Sequence, residues 1–149
     1  MLSKTFCQQF IFVVVFSFIT PSISFSAEVI ASPHVKTNSL SLENLRHIFF
    51  MRVHQWPDGN PIKVYVLKDN NELHKQFSKQ QLGVFPYKLR RLWDRHIFSG
   101  TGQAPTVLDN EEQMIEIISA SENGIGYANK KNINDLNKGS LNVQFINIE

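Results

Sequence analysis

The stretch Ile62-Lys63-Val64-Tyr65-Val66-Leu67-Lys68-Asp69-Asn70-Asn71-Glu72-Leu73 sets the reading of the whole chain. Its first half alternates Ile62, Val64 and Val66 with Lys63, Tyr65 and Leu67, the period of a strand with one buried face. Its second half changes period. Asp69 followed three residues later by Glu72 is the signature of a capped helix start, and Leu73, Phe77 and Leu82 give that helix an apolar side running to Gly83. A strand passing directly into a helix is the unit of a layered α/β fold.

The same grammar repeats outward. Upstream, Ser41 is a good N-cap for a helix whose Leu42, Leu45, Ile48 and Phe49 recur at helical spacing, with Asn44, Arg46 and His47 on the other side. The loop Gln55 to Pro61 that follows has turn chemistry throughout. Before Ser41, Glu28 to Ala31 reads as a short strand and Ser32 to Ser39 as a loop. Downstream, a helix begins at Pro86 and is expected to turn Leu89, Leu92, Trp93, Ile97 and Phe98 inward and Lys88, Arg91 and Arg95 outward, stopping at Ser99-Gly100-Thr101-Gly102. The next starts at Asp109, three residues before Glu112, and buries Met114, Ile115, Ile117 and Ile118. Asn123-Gly124 ends it ahead of an extended Ile125-Gly126-Tyr127-Ala128. Lys130 to Ser140 is polar and reads as a loop, and Val143 to Ile148 as a closing strand. The expected architecture is α/β, a mixed or parallel sheet flanked by helices.

The amino terminus has a different character. Lys4 precedes the apolar run Phe10 to Ile19, and Pro21 to Ala27 supplies small and turn-forming residues, the order of a secretory signal. The run is about half of the roughly 20 residues that a membrane-crossing helix needs. Ser24 and Ser26 fit the −3 and −1 positions of a cut after Ser26, so residues 1–26 are read as signal and 27–149 as one domain beginning at Ala27 or Glu28. The only cysteine, Cys7, falls inside the signal, so the domain must hold together without a disulfide. Over the full chain 15 Lys and Arg face 13 Asp and Glu. Such a balance gives no broad field for nucleic acid or an anionic membrane, though it leaves room for a local anion site.

Ser41 to Phe49, then Trp56-Pro57-Asp58-Gly59-Asn60-Pro61-Ile62, then Phe98 to Gly102, then Gly124-Ile125-Gly126-Tyr127 together resemble the phosphate-binding subunits of ABC transporters. The resemblance implies a type 2 periplasmic-binding-protein fold and a periplasmic location. It also implies phosphate or another small oxyanion as ligand, with a membrane permease or other envelope protein as partner. The chain departs from the family in three places. Residues 27–40 stand where the family has most of another lobe, so a single small lobe is expected. The family's Arg-x-Asp-Gly-Ser-Gly-Thr type segment, which donates to phosphate, aligns with Leu67 to Leu73 and keeps only Asp69. Met51 replaces a helix-ending glycine.

Two function classes follow. In the first, an oxyanion sits at helix amino termini: Ser41 and Asn71 donate to its oxygens, Lys68 neutralises charge with Asn70 beside it, and the backbone near Gly100 and Gly102 completes the cradle, with the hydroxyls of Ser99 and Thr101 as further ligand groups. In the second, the domain has no solute site and works as a protein-interaction or accessory module in the envelope. Leu67 in place of the bidentate arginine, and Glu72 in the first helical turn, favour the second class.

Other constellations have plainer readings. Ser99 to Gly102 lacks the Lys-Ser/Thr ending of a P-loop and follows a helix, which makes it a helix stop. The basic run Lys88 to Arg95 is interrupted by Asp94 and reads as a solvated face, with no nucleic acid expected. His34, His47, His54, His74 and His96 have no metal-ligand spacing, so no metal or cofactor is expected. There is no Gly-x-Ser-x-Gly elbow, and Glu111 and Glu112 sit at a helix start where acids cap; the chain reads as a non-enzyme. Trp56 and Trp93 read as packing.

Overall fold

The computed structural model describes residues 26–100, 103–137 and 141–149; the signal reading of residues 1–25, with Cys7, and the Thr101 assignment lie outside them. A five-stranded sheet has the order β4 (Thr106–Leu108), β3 (Lys63–Leu67), β5 (Gly124–Asn129), β1 (Ala27–Ala31), β6 (Gln144–Phe145). β4, β3 and β5 run parallel, and β1 runs against both β5 and β6. β2 (Ser39–Leu40) and β7 (Asn147–Ile148) form a separate parallel pair.

The helices are α1 (Leu42–Phe49), α2 (Glu72–Gln80), α3 (Pro86–Phe98), α4 (Glu111–Ala120) and α5 (Lys130–Asn137). Successive residues of a strand face opposite ways, and β5 shows which helices lie on which side. Gly126 faces α4 so closely that a Cβ there would stand 2.5 Å from Met114 Sδ and 2.7 Å from Ile118 Cδ1. Tyr127 faces the other layer, stacked on Phe77 of α2 at 3.9 Å and tilted against Phe49 of α1 at 6.1 Å. The sheet is thus covered on both faces, and one continuous hydrophobic cluster draws on all five helices and both faces of β3 and β5. The described residues from Ser26 onward therefore share one hydrophobic core.

Several expectations are corrected. β3 does not alternate; Val64, Tyr65, Val66 and Leu67 are all buried because helices cover both sides. Asn71, not Asp69, caps α2, and Asn110, not Asp109, caps α4. α4 ends at Ala120, and Gly124 opens β5. Lys130 to Asn137 is helical, held by the buried Ile133. Val143 to Ile148 is two short strands in different sheets, broken at the buried Ile146. Ile97 and Phe98 are exposed, not inward. Met51 occupies the left-handed region at φ 58 in a Schellman turn: its N–H bonds Ile48 O at 3.0 Å and the Arg52 N–H bonds His47 O at 2.8 Å. That conformation is the physical reason a glycine suits the position.

Candidate functional site at the carboxyl edge of the sheet

Three parallel strands end at one edge of the sheet, at Leu67, Leu108 and Asn129, and each runs into the amino terminus of a helix. In an open α/β sheet this is the edge where ligands settle, because free N–H groups and the positive ends of helix dipoles converge there. A cleft of about 520 Å³ opens at this edge, lined by Asn71, Glu72, Leu73, Gln76 and Glu111.

The chain itself already occupies several of the donors. Asn71 Oδ1 accepts from the N–H groups of Leu73 at 2.9 Å and His74 at 3.3 Å. Asn110 Oδ1 accepts from Gln113 N–H at 2.9 Å, while Gln113 Oε1 accepts from Asp109 N–H at 2.9 Å. Asn129 Oδ1 takes Lys131 N–H at 3.0 Å. Glu111 Oε2 accepts from Asn129 N–H at 2.7 Å and from Asn132 Nδ2 at 3.0 Å, the geometry an oxyanion would adopt at the start of α5. Gln76 also lines the cleft, its side-chain amide oxygen buried without a hydrogen-bond partner among the described residues.

The positive charges are also engaged. Lys68 pairs with Asp109, tying the ends of β3 and β4 together. Arg90, from α3, grips Asp69 with both Nε, at 3.2 Å, and Nη2, at 2.8 Å. Its guanidinium stacks 5.1 Å above the Trp93 ring, and the Asp69 bond holds its pKa above the ordinary value. This capture is why Asp69 does not cap α2. Glu72 bonds Lys75 Nζ at 2.7 Å, which holds its carboxyl below the usual range.

Behind this edge runs a buried polar chain that sequence reasoning passed over. Leu67 N–H donates to Tyr127 Oη at 2.9 Å. A backbone N–H can only donate, so the phenol hydrogen is free to donate to His74 Nδ1, with which Tyr127 makes a short contact. In the tautomer that accepts this hydrogen, Nε2 carries the proton; it faces Ser78 Oγ at 3.5 Å and Asp69 Oδ1 at 3.8 Å. His74 is fully enclosed, and burial pulls its pKa down to about 4 against the upward influence of Asp69. Burial likewise pushes the Tyr127 phenol far above its ordinary value. The signal was present in the sequence: His74 stands next to Leu73 and three residues before Phe77, inside the buried arc of α2.

Of the six residues assigned from sequence, the five that lie among the described residues are not gathered at one place. Lys68, Asn70 and Asn71 do lie together at the carboxyl edge, but Asn71 serves as an acceptor for its own helix. Ser41 caps α1, its Oγ accepting from Asn44 N–H at 3.2 Å, and the next N–H, of Leu42, bonds Glu149 O. Ser99 is the C-cap of α3 and donates to His96 O at 3.1 Å. A helix carboxyl end repels anions. Gly100 lines a different cleft, of about 410 Å³, with Met51, His54, Gln55, Pro61 and Ile62 at the opposite, amino end of β3.

The three-layer arrangement, the reversed β1 beside β5 and the helix starts gathered at one edge define one lobe of a type 2 periplasmic-binding-protein fold. Solved structures show the same fold in phosphate transport proteins. The chain is similar to an ABC-type phosphate transport receptor from Vibrio cholerae, with a TM-score of 0.59 and 13% identity over 82% of this chain and 45% of that one. It is also similar to PstS from Borrelia burgdorferi, with a TM-score of 0.62 and 18% identity over 83% of this chain and 47% of that one. The chain thus spans less than half the length of these two proteins. No protein-family model matches it, nor does any curated protein sequence. Among the described residues no helix is long and apolar enough to cross a membrane.

Proposed function

We propose that this chain is an exported, periplasmic single-lobe domain that does not capture phosphate at its carboxyl edge and serves as an accessory or interaction module in the cell envelope. The observation that carries the reading is the cleft itself. Its wall offers the carboxylates of Glu72 and Glu111. The cations nearby, Lys68 and Arg90, are paired with Asp109 and Asp69. A dianion entering there meets acceptors and negative charge where a phosphate receptor needs donors.

The rival reading, capture of phosphate or another small oxyanion for delivery to a permease, is favoured by the likeness of the fold to phosphate receptors. One experiment separates the two. The protein from Ser26 onward is thermally unfolded against rising phosphate, with sulfate and chloride at matched ionic strength. The interaction reading expects no phosphate-selective shift. A saturable shift in the unaltered protein refutes it, since ligand at about a thousand times its Kd stabilises by roughly 4 kcal/mol.

A further inference from the structure

The outward face of α3 has no counterpart in the site above. At about 100° per residue, Tyr87, Phe98, Arg91, Arg95 and Lys88 fall within an arc of roughly 100° whose midpoint lies opposite the buried Leu89 and Trp93. Lys88, Arg91 and Arg95 form no ion pair among the described residues. Half-buried Asp94, at the margin of this arc, is the acid adjoining them on the helix.

The rings sit at the two ends. Phe98 is 90% exposed and Tyr87 56%, the most exposed aromatic side chains among the described residues. At the amino-terminal end Phe85 stacks on Tyr87 at 5.9 Å and Lys79 Nζ stands 5.2 Å from the Phe85 ring centre, adding a further cation. The face is thus a convex strip about 20 Å long, cationic along its middle and aromatic at both ends.

We propose that this strip docks the domain on an anionic lipid bilayer, with Arg91, Arg95 and Lys88 over lipid phosphates and Phe98 and the Phe85–Tyr87 pair inserted at headgroup depth. The charge is complementary to such a surface. The strip follows the outer side of a single helix, a shape suited to a plane and not to clasping a chain, and rings at its ends are the groups that partition into an interface. An acidic protein would be held by the cations alone and would leave a 90% exposed Phe98 without a role. The inference rests on α3 and is independent of what the carboxyl edge binds.

The test is co-sedimentation of the protein from Ser26 onward with phosphatidylethanolamine vesicles containing phosphatidylglycerol, against neutral phosphatidylcholine vesicles, at about 50 mM and about 500 mM salt. Docking predicts binding to the anionic vesicles alone, lost at high salt. It also predicts weakening of about fivefold for each charge removed in Arg91→Gln and Arg95→Gln, and on the order of tenfold in Phe98→Ala. All three side chains are half-buried or more exposed, and far-UV circular dichroism verifies that each variant is folded. No binding to anionic vesicles at low salt overturns the proposal. So does binding that ignores these substitutions, or binding to polyglutamate that is as tight as to vesicles and indifferent to Phe98→Ala, which would mark a surface for acidic protein.

Discussion

Acidification tests the buried polar chain, because the neutral imidazole of His74 is part of the folded state. The folded pKa is about 4, against an ordinary 6.5 that the unfolded chain recovers. Above pH 6.5 neither state holds the proton and the full stability is present. As pH falls below 6.5 the unfolded chain takes up a proton that the folded chain refuses, so stability declines by up to about 1.4 kcal/mol per pH unit. Near pH 4 the folded state binds the proton too, and the decline attributable to His74 ends. Integrated over that interval the loss is about 3 kcal/mol, on the order of 10 °C in Tm for a domain of this size. The assay is urea unfolding from pH 7.5 to pH 4 of the unaltered protein and of His74→Gln, whose amide can still accept from Tyr127 but does not titrate. The variant is expected to start less stable and to lose less on acidification, the two curves converging by about 3 kcal/mol. Parallel curves, or a His74 imidazole that titrates near 6.5 by NMR in the folded protein, would refute the reasoning.

Two further outcomes follow from packing and charge. Gly126→Ala drives a methyl against Met114 Sδ and Ile118 Cδ1 and is expected to destabilise by about 2 kcal/mol in chemical denaturation, whereas Gly59→Ala, where a Cβ would meet nothing within 4 Å, encounters only the cost of φ 88. The bidentate Asp69–Arg90 contact is partly exposed, so a double-mutant cycle with Asp69→Asn and Arg90→Gln should return a coupling of about 1 kcal/mol that shrinks in high salt. Zero coupling at low salt would mean that the contact does not anchor α3 to the site loop.

The elements legible in the sequence are those whose signals are local. Ser41 before Leu42, Pro86 at the first turn of α3 and the Ile62 to Leu67 run announce themselves within a few residues, and the structure has them there. What was missed depends on distant partners. β4 is three residues long and exists because Tyr65, Val66 and Leu67 offer it a ladder. α5 has a polar composition and forms where Ile133 finds the core. Ile97 continues the spacing of Leu89 and Trp93 but lies beyond the end of the core, and a periodic pattern does not say where the core stops.

The candidate site fails to be legible for the same reason, and the failure is informative. Lys68 looks like a ligand group and Asp69 like a helix cap when read beside one another, yet their partners arrive 41 and 21 residues later, in Asp109 and Arg90. A guanidinium does stand at the edge where the resemblance to phosphate receptors leads one to expect it. It comes from α3 instead of from the end of β3, and it is held against a carboxylate instead of facing the cleft. Electroneutrality within the loop therefore stabilises the edge and weakens its hold on an anion at once: freeing Arg90 by removing Asp69 would restore a positive donor but also cut the tie between α3 and the loop that leads from β3 to α2. Neutralising Glu72 on the cleft wall is the less disruptive way to ask whether the fold can still hold phosphate, because its carboxylate bonds only Lys75 of its own helix, whereas Glu111 ties α4 to Asn132 of α5.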